Sequence, residues 1–480
     1  MIIFHQKLIY FSKVVIILRN FNFFIYIVIE KFLLFYQGEN VDKLQWNSFD
    51  TRWMLSLFGT AVGAGILFLP IKAGVGGFWP VVVMALIIFP MVYLSHRALS
   101  RFVCQANGND KDITHAAEEY FGRKVSIFIS VLYFFAIFPI CLAYCVGITN
   151  TFESFIYNQF LPLLDPNGSL ASAISTMYQT SVNEQGKTIA NLLPFYRAVL
   201  AFILVSIFML IMLFSEELIT KVCEWLVYPL CAILFLFSLY LIPQWSFESF
   251  SAIPGTKEFI TIVWLTLPVL VFSFNHSPAI STFSLSIKRQ YPENSVQKAN
   301  QVLFRTSVML LAFVMFFVVS CVLSLTPAEL AEARAQNIPV LSYFANKLDN
   351  PFISYGGPLI AFLAISSSFF GHYFGAREGA YGIVRKCCKL TGNENPDLKK
   401  IAVYSTLVMY IIMLITAYVN PSILGFIESL GGPIIAAILF LMPIIAIYTV
   451  SKMKKFQNKA LDAFVFITGI LTIITVIYTF

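Results

Sequence analysis

The chain has 480 residues, 58% of them hydrophobic and 12% charged, with a mean hydropathy of +0.79. Soluble domains carry about a quarter charged residues and somewhat under half apolar ones, so a soluble globular enzyme, a disordered chain and a secreted disulfide scaffold are excluded. The net charge of +7 reads as Lys and Arg in cytoplasmic loops rather than as affinity for nucleic acid. The 49 Phe lie in unbroken apolar runs, not in the alternating pattern of a membrane barrel.

In chain order, residues 1–52 read as an N-terminal cytoplasmic extension. Within it, 14–36 is rich in Phe and Ile but interrupted by Arg19, Glu30 and Lys31. A central Arg or Lys costs roughly 2.5–3.5 kcal/mol in a spanning helix. This stretch is an interfacial helix or sequence upstream of the true start. Eleven apolar segments follow, at 53–72, 78–96, 125–157, 195–214, 222–242, 260–287, 302–325, 353–384, 401–419, 422–448 and 461–479. Each approaches the roughly 20 residues a crossing needs. With the first span starting inside, twenty Lys and Arg fall on the inner side and six on the outer side. This positive-inside bias predicts a multi-pass protein of the cell inner (plasma) membrane, N-terminus cytoplasmic and C-terminus outside. The outer loop at 162–193 is polar. The outer loop at 326–352 carries a helical pattern from Pro327 to Gln336, with Thr326 as its N-cap. The eight cysteines match neither a zinc site nor a disulfide framework.

Two spans break the rule that helix interiors in lipid avoid Gly and Pro. The first contains Gly59-Thr60-Ala61-Val62-Gly63-Ala64-Gly65, and the sixth contains Phe272-Ser273-Phe274-Asn275-His276-Ser277-Pro278. Each has a plain alternative: close helix packing for the glycines, and a proline kink for the second stretch. Their positions, first and sixth of eleven, divide the chain into two halves of five spans. The expected fold is an all-α membrane protein with eleven helices: a first inverted repeat at 53–242, a second at 259–448, and an extra helix at 461–479. Matching broken helices in inverted halves point to a secondary-transporter site at mid-membrane. A broken helix exposes amides at one end and carbonyls at the other, a receptor for a zwitterion such as an amino acid. The amides near Gly63, Ala64 and Gly65 suit its carboxylate, and the carbonyls near Phe272 and Ser273 its amine. Thr60 is a further candidate contact.

These residues also carry a resemblance. GTAVGAGILFLPIKAGVGGFWP at 59–80, LYFFAIFPI at 132–140, TNTFESF at 149–155, YLIPQW at 240–245, PVLVFSFNHSPAIS at 268–281, SCVLSLTPAEL at 320–330, GHYFGAREG at 371–379 and NPSILGFIESLGGPIIAAILFLMP at 420–443 resemble the hydroxy/aromatic amino acid permeases, their serine transporters above all. FSFNHSP and GHYFGAREG are the most specific. The resemblance covers almost everything after residue 50. It implies an eleven-helix protein of the leucine-transporter type that imports serine by proton symport. Threonine, an aromatic amino acid (tryptophan or tyrosine) and sodium coupling are the alternatives. Ser366-Ser367-Ser368 stands where some relatives carry a Lys in the middle position, a departure from the pattern.

Four residues are candidates for ion coupling. His276, in the sixth-span break, carries a proton or shapes the pocket as a neutral hydrogen-bonding group. Lys221 opens the fifth span, where the resemblance implies a Lys in place of sodium; its alternative role is a snorkelling anchor. Ser367 lies where hydroxyls of sodium-coupled relatives hold the ion, or bonds between helices. Glu428 forms an outer gate with Lys72, carries protons, or is a structural pair. Asn275 and Ser277 recognise a substrate hydroxyl or satisfy broken backbone. No phosphate-binding Gly-Lys-Ser/Thr loop, nucleophile–base pair or metal-ligand cluster appears. No enzyme activity, cofactor, metal or obligate protein partner is therefore expected; the partners are a small amino acid and the lipid bilayer.

Overall fold

The computed structural model describes residues 44–108, 112–182, 188–214, 216–246, 253–348, 350–392 and 396–479. Ten helices among the described residues are long and apolar enough to cross a membrane, and a bent pair at the start makes eleven. The expected extension at 1–43 lies outside the described residues.

The bent pair is α1 (Ser48–Ala61) and α2 (Ala64–Ala73). Its two halves diverge by 54°. α1 starts five residues before the expected boundary at 53, because Asn47 and Asp50 form a capping box. The Asn47 side chain accepts from the Phe49 and Asp50 amides, and the Asp50 carboxylate accepts from the Asn47 amide. The second span is α3 (Phe78–Cys104) and the third α4 (Ile113–Phe155). α4 begins well before 125. Asp112 caps it, and Gly122, at φ 77°, turns the chain between a first short stretch and the span proper.

The loop expected to be merely polar at 162–193 holds a helix, α5 (Ser169–Ser175), and an antiparallel hairpin. Its strands are β1 (Tyr178–Val182) and β2 (Thr188–Leu192), with Tyr178 opposite Leu192. α6 (Pro194–Ile211) and α7 (Glu216–Tyr240) are the fourth and fifth spans. The sixth is broken into α8 (Thr256–Ser273) and α9 (Ser277–Gln290). α10 (Ser295–Ser324) is the seventh. Two loop helices follow, α11 (Pro327–Ala335) and α12 (Val340–Lys347). Thr326 caps α11 as expected, in a capping box with Glu329.

The last four spans are α13 (Pro351–Leu390), α14 (Leu398–Val419), α15 (Ile423–Thr449) and α16 (Lys459–Ile474). α15 contains two π turns, Ile427–Gly431 and Ala437–Leu441. α4 and α13 hold 43 and 40 residues. At about 1.5 Å per residue α13 is about twice the hydrocarbon thickness, and the part of α4 after the Gly122 turn is also longer than that thickness, so both project from the membrane. They pack along each other as the longest contact in the fold.

The two broken spans exchange halves: α2 packs on α8, and α1 packs on α9. That pairing follows when two broken helices run antiparallel. Gly65 makes the approach possible. A Cβ there would lie 2.8 Å from the Ser273 Cα and 2.7 Å from the Phe272 ring. We therefore expect Gly65→Ala to destabilise the fold by about 1–3 kcal/mol through overpacking. Gly356, which has open space around it, should tolerate Ala and gain about 0.5–1 kcal/mol of helix stability. Unfolding of the purified variants in detergent measures both.

Candidate functional site

The first break leaves three buried amides, those of Gly63, Ala64 and Gly65, with no acceptor among the described residues. They form the positive N-terminal end of α2. The carbonyl side of the break is held: the Ser368 hydroxyl of α13 donates to the Thr60 carbonyl at 2.7 Å. The hydroxyl has one hydrogen, so Tyr144 of α4 must donate to Ser368 Oγ across their 2.7 Å contact. His372 turns its Nδ1 to the Ser368 carbonyl at 2.8 Å and packs edge-on to the Tyr144 ring. Gly63 is glycine for space, since a Cβ would strike Ser368 and lie 2.7 Å from the Tyr144 hydroxyl.

The sixth break is arranged differently. Phe274 closes α8 through the Leu270 carbonyl, and the Asn275 amide reaches Phe272 O at 3.2 Å. The Ser277 amide donates to Asn275 Oδ1 at 3.1 Å. The His276 amide donates outside its own span, to Nε2 of His96 on α3, at 3.1 Å. Among the buried side-chain atoms of the described residues that lack a hydrogen-bond partner are Ser273 Oγ, Asn275 Nδ2, His276 Nε2 and Ser366 Oγ. Such orphans are rare in a finished core. Three of them lie within four residues of one another at the helix break.

The candidates named from sequence separate in space. Gly63, Ala64, Gly65, Phe272, Ser273, Asn275, His276 and Ser277 are all buried, and the Gly65–Phe272 contact joins the two breaks. Thr60 contributes its carbonyl, while its hydroxyl is bonded back to Ser56 O at 2.8 Å. Ser367 likewise bonds its own helix, at Ala364 O. Its neighbour Ser368 is the residue that reaches the first span. Lys221 is exposed on α7 and is not brought to the breaks. Glu428, in the first π turn of α15, lies 2.9 Å from Lys72 and 3.2 Å from Arg334 of α11.

Sequence reasoning missed several groups. Call the face where α1 begins the near face and the opposite one the far face. At the near face Asp50 and Lys298 form a fully buried ion pair at 2.6 Å. Tyr291 donates to Asp50, and Lys298 also reaches the Gln45 carbonyl and Gln301. This cluster ties α1 to α10. At the far face Lys72 and Glu428, already paired from the sequence, are joined by Arg334, and the three tie α2 to α15 and α11. Beside it, Arg197 pairs with Glu153 and bonds Asn150 and the Ala417 carbonyl. Asn150 in turn reaches Asn337 O and Asn420, so the 149–155 and 420–443 motifs meet there. The signal for Asp50 was its capping box; Lys298, Arg334, Arg197 and Glu153 had none beyond charge in apolar surroundings. No group of three or more possible metal ligands occurs among the described residues.

Comparison with known proteins gives this geometry a lineage. Residues 53–181 match the tryptophan/tyrosine permease family. The serine transporter SdaC of Escherichia coli K12 is 44% identical over 442 residues, 90% of this chain and 95% of that protein. The chain belongs to the hydroxy/aromatic amino acid permeases. Another similar member is the threonine/serine transporter TdcC of Edwardsiella tarda, 36% identical over 454 residues, 90% and 96% of the two chains. Among solved structures, the permease fold resembles MhsT in complex with L-phenylalanine, at a TM-score of 0.50 and 13% identity over 91% of this chain and 100% of that one. It also resembles a manganese transporter of Eremococcus coleocola, at 0.54 and 15% over 91% and 88%. The leucine-transporter architecture expected from the motifs is the architecture of this permease.

The near-face pair generates a test. Lys298→Met strands the Asp50 carboxylate in the interior and should cost about 3–5 kcal/mol. Adding Asp50→Asn removes the stranded charge, so the double variant should recover much of that loss in thermal unfolding.

Proposed function

We propose that the permease imports an amino acid, L-serine first, by proton symport with alternating access across the cell inner membrane. The near face is cytoplasmic, in keeping with the Lys and Arg bias. The observation that carries the reading is the pairing of two helix breaks that leave complementary groups unsatisfied. The free Gly63–Gly65 amides suit the substrate carboxylate. The carbonyl end of α8 near Phe272 and Ser273 suits its ammonium. Asn275 is oriented by the Ser277 amide, which takes its oxygen and leaves Nδ2 to donate. With Ser273 Oγ it can bind the substrate hydroxyl.

Alternating access follows from the two charged clusters. Breaking the Asp50–Lys298 cluster frees the near end of α1, and breaking the Lys72–Glu428–Arg334 cluster frees the far end of α2. Proton coupling is favoured over sodium by the first break. The Ser368 hydroxyl and Thr60 carbonyl that would share a cation satisfy each other directly. His276, with a buried unpartnered Nε2, is the coupling candidate that sits at the breaks. Threonine is the second reading, supported by the similarity to a threonine/serine transporter.

Uptake of labelled serine into proteoliposomes tests this. Accumulation should follow an imposed proton gradient, persist without sodium and be competed by serine before threonine or tryptophan. Uptake that needs sodium and ignores the proton gradient refutes the coupling; stronger competition by tryptophan refutes the substrate. Asn275→Ala should cut the preference for serine over alanine by about tenfold or more, the effect of losing one buried hydrogen bond.

A further inference from the structure

His96 has no place in the site as read from sequence, yet it is built into the sixth break. It lies on α3 and is buried. Its Nδ1 sits 2.8 Å from the Val92 carbonyl, and its Nε2 faces the His276 amide at 3.1 Å. A carbonyl can only accept and an amide can only donate. Nδ1 therefore carries the hydrogen and Nε2 the lone pair. The ring also stacks on His276, with centroids 3.5 Å apart and planes 8° from parallel. His276 Nδ1 meets Phe274 O at 3.1 Å, which leaves its Nε2 unpartnered.

An amide at a helix start inside a membrane needs an acceptor from somewhere. Asn275 supplies one to Ser277; His276 receives its acceptor from another span. We propose that His96 is a positioning residue of the substrate site. Its Nε2 lone pair replaces the helix carbonyl removed by the break, and its ring fixes the plane of His276. Together these hold α9 in the register that leaves Asn275 Nδ2 and His276 Nε2 available to substrate. The substrate part of this inference rests on the transport reading; the clamp itself does not.

The test uses the full-length protein in nanodiscs and three variants. His96→Phe keeps an aromatic ring but has no acceptor. His96→Asn has an acceptor too short to reach the His276 amide. His96→Gln places an oxygen near the position of Nε2. Hydrogen–deuterium exchange over 274–280 reads the clamp without substrate. His96→Phe and His96→Asn should exchange roughly tenfold faster there than wild type, as expected for one lost buried hydrogen bond, and His96→Gln should restore protection. In uptake, the first two should raise the serine KM roughly tenfold with Vmax within about twofold, because the binding geometry is populated less often. His96→Gln should bring KM back. Unchanged exchange in both His96→Phe and His96→Asn overturns the clamp, whether or not the protein transports. Faster exchange with lower Vmax and an unaltered KM overturns the positioning role and makes His96 a packing residue. Wild-type protein that takes up no amino acid refutes the transport reading, and the exchange arm still decides the clamp.

Discussion

Backbone polar groups at bilayer depth must find partners within the protein, and the architecture around the two breaks follows from that requirement. Each interruption frees carbonyls on one side and amides on the other. Neighbouring spans satisfy only part of each set. At the first break Ser368 takes up the Thr60 carbonyl and the amides stay open. At the sixth, His96 and Asn275 take up the amides, while Ser273 Oγ, Asn275 Nδ2 and His276 Nε2 stay open. The result is two facing breaks, with amide donors open at the first and both donor and acceptor groups open at the sixth, brought into contact by the absence of a side chain at Gly65.

The charged groups are arranged around this centre as opposed clusters. Asp50–Lys298 lies at one end of the first span and Lys72–Glu428–Arg334 at the other. A buried ion pair adds little net stability, because desolvation offsets much of the attraction. Its geometry is strict, however, and separating the partners is costly. Such pairs suit boundaries that must be closed firmly and opened only with a compensating change.

Much of this was visible in the amino-acid order. Gly59 to Gly65 and Ser273 to Pro278 announce the breaks because clustered glycines in one, and polar side chains beside Pro278 in the other, interrupt an apolar run. What stayed hidden depends on phase and on distance along the chain. His96 stood as the last residue of the expected second span, whereas α3 runs on to Cys104 and places it well inside the helix. Ser366, Ser367 and Ser368 are chemically identical, and only the rotation of about 100° per residue decides which faces the first span. Asp50 and Lys298 are 248 positions apart, and each alone resembles a membrane-edge charge. The hairpin at 178–192 lacks the tight Asn-Gly or Asp-Gly turn that betrays such units from sequence.

The two π turns of α15 have an arithmetic consequence. Each accommodates one residue more than an α turn, so each advances every later side chain by about 100° around the axis. Between Ile427 and Leu441 the helix is thereby re-indexed twice. The apolar stripe before Glu428 and the stripe that receives α16 near Phe440 obey different counting frames. A single helical wheel drawn through 423–449 would mix wall and interior, and removing one residue within either turn would re-aim everything downstream while leaving the hydropathy profile nearly untouched.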